Sequence, residues 1–179
     1  FFSRLTPVKK VVLLCDLVKQ FQLLGRSVTV HVVGDGEDFQ ALHEAIKENN
    51  QEDNFKLYGS IYDEGQVGEI IYACDFLVIP AWLGLTVNHA FCYSTPVATL
   101  INEKHPPEIE FAKDGCNSVL STSIEGIAKR ITEVLDGDDV YALIRENART
   151  YFERNLSIDS MYEGFEQAVS VAGIKGKKP

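Results

Sequence analysis

Val28-Thr29-Val30-His31-Val32-Val33, closed by Gly34-Asp35-Gly36, is a β-branched run that ends on two glycines. Branching at Cβ restricts χ1 and favours the pleated backbone, so the run predicts a strand, and the glycines predict a tight turn leading out of it. Both flanks are helical in period. Before the run, Val11, Leu14, Cys15, Val18 and Phe21 recur at helical spacing, with Gly25 as a stop; after it, Phe39, Leu42 and Ile46 share one face. A strand set between amphipathic helices is the repeating unit of a parallel α/β sheet.

The unit recurs outward in both directions. Phe55-Lys56-Leu57-Tyr58 predicts a strand, Val67, Ile70, Ile71 and Cys74 mark a helix, and Phe76-Leu77-Val78-Ile79 predicts a strand stopped by Pro80. A helix is expected to open near Gly84, and Val97–Leu100 and Ser118–Leu120 add two strands. With Phe1–Leu5 read as a strand entered midway, about six strands result, apolar on both faces. Strands of that kind belong in a parallel sheet covered by helices, so the expected fold is α/β, a doubly wound parallel sheet with flanking helices. Thr122 and Glu125 are read as a capping box before the stripe Ile124, Ile127, Ala128, Ile131 and Val134. A last helix after Ser157 carries Ile158, Met161, Tyr162, Phe165 and Val169 on one face.

A chain of 179 residues suits one domain, read here as residues 1–172, and no repeat or linker divides it. Residues 173–179, with Lys175, Lys177 and Lys178, are read as a basic solvated tail. The formal charge of −9 argues against a nucleic-acid binder, which needs clustered cations to neutralise phosphates. Cys15, Cys74, Cys92 and Cys116 are far apart and have no histidine at ligand spacing, so no metal is expected. The first three lie in apolar stretches and are read as reduced core thiols of a cytoplasmic protein. The start on Phe1-Phe2-Ser3-Arg4-Leu5 leads to the expectation that the chain is part of a longer protein.

In doubly wound sheets, ligands bind beyond the carboxyl ends of the strands. Arg4, Gly34 and the segment after Pro80 fall at such ends. Gly84-Leu85-Thr86 would open a helix whose free N–H groups favour a phosphate, with Arg4 and Lys9 supplying opposing charge as exposed cations of little weight in folding. Of the histidines, only His89 sits where the fold presents a side chain to a ligand. Gly34-x-Gly36 without a third glycine reads as a turn, and Asp75 reads as a junction residue satisfying local backbone donors.

Taken in order, these segments resemble the C-terminal domain of the GT-B glycosyltransferases of family four. Phe2-Ser3-Arg4-Leu5-Thr6-Pro7-Val8-Lys9-Lys10 resembles the family's "GRL-x-x-x-KG" opening, and Val32-Val33-Gly34-Asp35-Gly36 its "I-x-G-x-G". Leu57-Tyr58-Gly59-Ser60-Ile61 is similar to the "V-x-F-x-G" strand end, and Tyr72 to Pro80 to "Y-x-x-A-D-x-x-V-x-P". Gly84-Leu85-Thr86-Val87-Asn88-His89-Ala90, with Thr95-Pro96-Val97, is similar to "G-L-x-x-x-E-A…G-x-P-V", and Pro106-Pro107-Glu108 to a later "P-E" loop. Two departures stand out. The family's paired acids are replaced by Ala81 and His89, and Asn102, Glu103 and Lys104 stand where glycines usually precede the "P-E" loop.

The resemblance implies a Rossmann-like half of a GT-B fold that binds a nucleoside diphosphate sugar of the UDP or GDP type. Its acceptor would sit on an N-terminal domain, towards which the final helix packs with its apolar face partly exposed here. Arg4 and Lys9 would grip the diphosphate as the catalytic pair. Gly34, Tyr58, Gly84, Leu85, Thr86, His89 and Glu108 would hold the donor, with the base near Tyr58 and the ribose at His89. Retention of configuration, no metal or other cofactor, a role in polysaccharide synthesis and a membrane-associated acceptor reached from the cytoplasm are further implications. A nucleotide-sugar epimerase or phosphorylase of the same architecture, and a non-catalytic binding module, stay open at this level.

Overall fold

The computed structural model describes residues 1–171 and 173, so the basic tail lies outside the described residues apart from Gly173. Five strands alternate with helices: β1 Val30–Val33, β2 Phe55–Gly59, β3 Leu77–Val78, β4 Val97–Leu100 and β5 Ser118–Ser121. The helices are α1 Leu13–Leu23, α2 Phe39–Glu48, α3 Glu64–Tyr72, α4 Thr86–Cys92, α5 Ile124–Leu135, α6 Asp138–Asn155 and α7 Ile158–Val171. All pairing between named strands is parallel, in a two-stranded sheet β1-β2 and a three-stranded sheet β3-β4-β5. The α/β class and parallel sheet are therefore as expected, with one strand fewer.

The missing strand is the opening segment, reduced to a bridge between Phe2 and Val33. It still runs beside β1: Val33 N–H donates to the Phe1 carbonyl at 2.9 Å, and Ser3 N–H donates back to Val33 at 3.1 Å. The regular ladder ends there because its partner β1 stops at Val33, where Gly34 takes φ +139°, although Leu5 N–H still donates to Asp35 at 3.0 Å.

Leu5, Leu14, Val18, Leu42, Ile79 and Phe91 are fully buried in one core that spans both sheets. Helix α1 packs on α5, and α4 packs on α3 and α6. Three local readings change. Ser123, not Thr122, caps α5, accepting from Gly126 N–H at 3.0 Å, because its extended backbone aims the hydroxyl at the first turn. Asp75 accepts from the Tyr141 hydroxyl at 2.9 Å instead of from backbone donors, since α6 brings that ring to the β3 junction. Of the three cysteines read as core, only Cys15 is fully buried; Cys74 and Cys92 are half-buried where their helices end, and all four cysteines are free thiols.

The apolar face of α7 is open to solvent, with Ile158 82% and Phe165 69% exposed. Among the described residues no helix is long and apolar enough to cross a membrane.

Candidate functional site

The loops that follow β3 and β4 meet at Lys9. A 3-10 turn over Pro7–Lys9 carries the chain away from β1, and its lysine is folded inward, 8% exposed. The Lys9 ammonium donates to the Trp82 carbonyl at 2.5 Å. A Cβ added to Gly84 would stand 3.5 Å from that Nζ, and Gly84 has φ +57°, so a glycine there suits both the turn and the approach of the ammonium. Burial pushes the Lys9 pKa below its ordinary value of 10.5, while the Glu108 carboxylate pulls it back up. Lys9 is thus not the exposed cation expected from the sequence: it is buried, with its ammonium bonded to the carbonyl of Trp82, far along the chain. Arg4 is exposed and enters no ion pair among the described residues.

Buried polar atoms normally have hydrogen-bond partners, and those that do not call for an explanation. Four described side-chain atoms are buried without one, and three of them are Asn88 Oδ1, His89 Nδ1 and Glu108 Oε2. All three belong to the loop and helix that follow β3 or to the loop that follows β4. The other ring nitrogen of His89 lies 3.9 Å from Glu64, and its ring meets Phe2 edge-on at 5.1 Å. In the same helix Thr86 is buried and Leu85, just before it, is exposed.

Gly34 and Gly36 serve close backbone packing. A Cβ on Gly34 would lie 1.9 Å from the Ser3 carbonyl oxygen, and one on Gly36 would lie 2.3 Å from that of Leu5. Leu5 N–H donates to Asp35 at 3.0 Å and Asp38 N–H donates to Leu5 at 3.1 Å. These contacts pin the residues on either side of Arg4. Tyr58 is engaged elsewhere: its hydroxyl is 2.8 Å from His31 Nδ1 and the two rings stack. It joins neither Lys9 nor His89 in any described hydrogen bond.

Residues that the sequence did not mark complete the arrangement. Trp82 adopts φ +53°, rare for a bulky side chain, and is 39% exposed. Its N–H donates to Lys104, while Leu83 N–H donates to His105 Nδ1. Lys10 pairs with Glu103 at 2.6 Å, tying the turn after Lys9 to the same loop. No spacing or composition in the sequence signals these contacts, because each joins separate loops.

A cavity of about 420 Å³ lies at the amino ends of the strands, lined by Phe21, Arg26, Thr29, Asp75 and Ile131, and contains none of the expected site residues. No group of three or more His, Cys, Asp or Glu suited to a metal ion occurs among the described residues.

Comparison with known proteins bears on this arrangement. The family described as glycosyl transferases group 1 matches residues 1–151. A variant of S. aureus TarM, solved in complex with fondaparinux, alpha-GlcNAc-glycerol and UDP, superposes at a TM-score of 0.79 with 22% identity over 93% of this chain and 34% of that one. Anabaena HepE in complex with UDP-glucose gives 0.77 and 25%, over 95% of this chain and 47% of that one. The C-terminal domain of the group 1 protein LpcC from Francisella tularensis gives 0.71 and 18%, over 88% and 84%. The chain therefore spans about a third to a half of the length of the first two. No curated protein matches it.

Proposed function

The chain belongs to the glycosyl transferases group 1, and from that premise we propose that it binds a nucleoside diphosphate sugar, of the UDP or GDP type, and presents it to an acceptor held by another domain. The observation that carries this reading is the buried Lys9 ammonium packed against Gly84 and felt by Glu108, on the same loops and helix that hold three buried polar atoms without partners. In this reading Arg4 and Lys9 bind the diphosphate and stabilise the charge that develops on it as the bond to the sugar breaks. Gly84, Leu85 and Thr86 place backbone beside the phosphates. His89 and Glu108 meet the ribose hydroxyls, which satisfies Nδ1 and Oε2, and the main chain around Gly34 and Tyr58 receives the base.

The departure at Ala81 supports a narrower statement. The residue is 2% exposed, so the position has neither an acid nor room to take one without rearrangement. Contacts to the transferred sugar then come from elsewhere. The proposal extends to a retaining, metal-independent transfer in polysaccharide synthesis, carried out in the cytoplasm on a membrane-associated acceptor. It also holds that this chain alone transfers nothing, because the acceptor side of the cleft lies on another domain.

Calorimetric titration of UDP, GDP, uridine and guanosine into the chain tests the binding reading. One diphosphate should bind clearly more tightly than its nucleoside; absence of binding by both diphosphates would refute it. Sugar transfer, against simple sugar release, by a protein that combines the chain with its acceptor-binding domain separates a transferase from an epimerase or phosphorylase.

A further inference from the structure

His105 takes no part in the roles assigned above, yet it joins two of the loops that form the site. Its Nδ1 accepts from Leu83 N–H at 3.1 Å, and its Nε2 lies 2.7 Å from the Leu100 carbonyl oxygen. A carbonyl only accepts, so Nε2 carries the hydrogen; an amide N–H only donates, so Nδ1 carries none. The ring is therefore neutral, in one tautomer, with both nitrogens satisfied. It ties the end of β4 to the loop after β3.

That loop has a backbone that needs holding. Trp82 at φ +53° occupies a region that bulky residues avoid, and such a conformation persists only where its surroundings over-determine it. The hydrogen bonds do so: Trp82 N–H to Lys104, the Lys9 ammonium to the Trp82 carbonyl, and Leu83 N–H to His105. Leu83 itself is fully buried, which anchors the kink on its far side. Gly84, against which Lys9 rests, follows directly.

We infer that His105 is a positioning residue of the donor site, whose neutral ring fixes the Trp82–Gly84 kink and thereby the place of the Lys9 ammonium beside the start of α4. The inference rests on the donor-binding reading for its consequence, and on the two ring contacts for its geometry. His105 touches no reacting atom; it acts through Leu83 and Trp82.

The test uses His105→Ala and His105→Gln in the 179-residue chain, the glutamine carrying an acceptor oxygen and a donor nitrogen on one planar group. Three readouts are compared: the ¹⁵N signature of the wild-type ring, hydrogen exchange at the Trp82 and Leu83 amides, and the Kd for UDP and GDP. The wild-type ring should show a protonated Nε2 and a bare, hydrogen-bonded Nδ1. His105→Ala should lose at least tenfold protection at both amides and bind the preferred diphosphate about tenfold more weakly, and His105→Gln should recover most of both. Unchanged protection in His105→Ala, unchanged Kd despite lost protection, or a glutamine variant no better than alanine would each overturn the inference. If His105→Ala does not fold, the ring signature and the glutamine variant decide, and a protonated Nδ1 in the wild type overturns it. A wild type that binds no diphosphate refutes the donor-binding reading, while ring signature and amide protection still decide the latch.

Discussion

Replacing Lys9 by Met should lower both folding stability and diphosphate affinity, whereas Arg4→Ala should lower affinity alone. The difference follows from burial. Lys9 is 8% exposed and donates to the Trp82 carbonyl at 2.5 Å, while Arg4 is exposed and in none of the described ion pairs. Met keeps the buried stem and removes the ammonium. A hydrogen bond from a charged group contributes about 1.5–3 kcal/mol, and relief of the ammonium's desolvation returns part of it. A net loss of about 1.5 kcal/mol corresponds, in a chain of this size, to a fall of roughly 3–6 °C in melting midpoint. For the diphosphate a second charge-assisted contact of the ammonium is lost, so affinity should fall by about ten- to a hundredfold, and nucleoside affinity should hardly change. Arg4→Ala should show the same loss for the diphosphate with a midpoint shift equivalent to under about 1 kcal/mol. Thermal melts and calorimetric titration of UDP and uridine into both variants read these quantities. Equal melting of Lys9→Met and wild type, or equal weakening of UDP and uridine, would refute the reasoning.

His89→Ala should weaken diphosphate and nucleoside binding alike by about tenfold, since the ribose is common to both; unchanged titrations would make the ring a packing residue. Ser94 at φ +57° ends α4 with its N–H donating to Phe91 and the Thr95 N–H donating to Ala90, a position glycine fills without strain. Ser94→Gly should therefore raise stability by about 1 kcal/mol in urea melts, and a loss of stability would contradict the strain. Burial pushes the Cys15 thiol from 9.0 to about 11. Between those pH values the unfolded thiol has lost its proton and the folded one has not, so stability falls as pH rises, by on the order of 3 kcal/mol. Cys15→Val should flatten that alkaline decline in urea melts at pH 8.5 and 11, and an unaltered slope would assign it to other groups.

The alternation of strand and helix was legible in the sequence because its signals are local. β-Branched runs such as Val28–Val33 dictate pleated backbone over a few residues, and stripes such as Leu14, Val18 and Phe21 dictate which face of a helix is buried. The opening strand was over-read, since apolar Phe1 and Phe2 predict extension and burial, while the length of the ladder depends on where the partner strand β1 ends. The cap of α5 was misplaced by one residue because Thr122 and Ser123 have the same hydroxyl chemistry, and only the backbone angle chooses between them.

By itself the sequence determined the parallel α/β architecture and which loops leave the carboxyl ends of strands, because periodicity and turn chemistry act over one or two turns of chain. Tertiary structure alone decided that Lys9 is buried and Arg4 exposed, that Tyr58 pairs with His31, and that His105 holds the kink at Trp82. Lys9 and Trp82 are 73 residues apart and Leu83 and His105 are 22 apart, so those contacts exist only once the fold brings the turn after the opening segment to the loops that follow β3 and β4. Hydrogen bonds between loops are set by where the strands end in space, and no local pattern of residues encodes that.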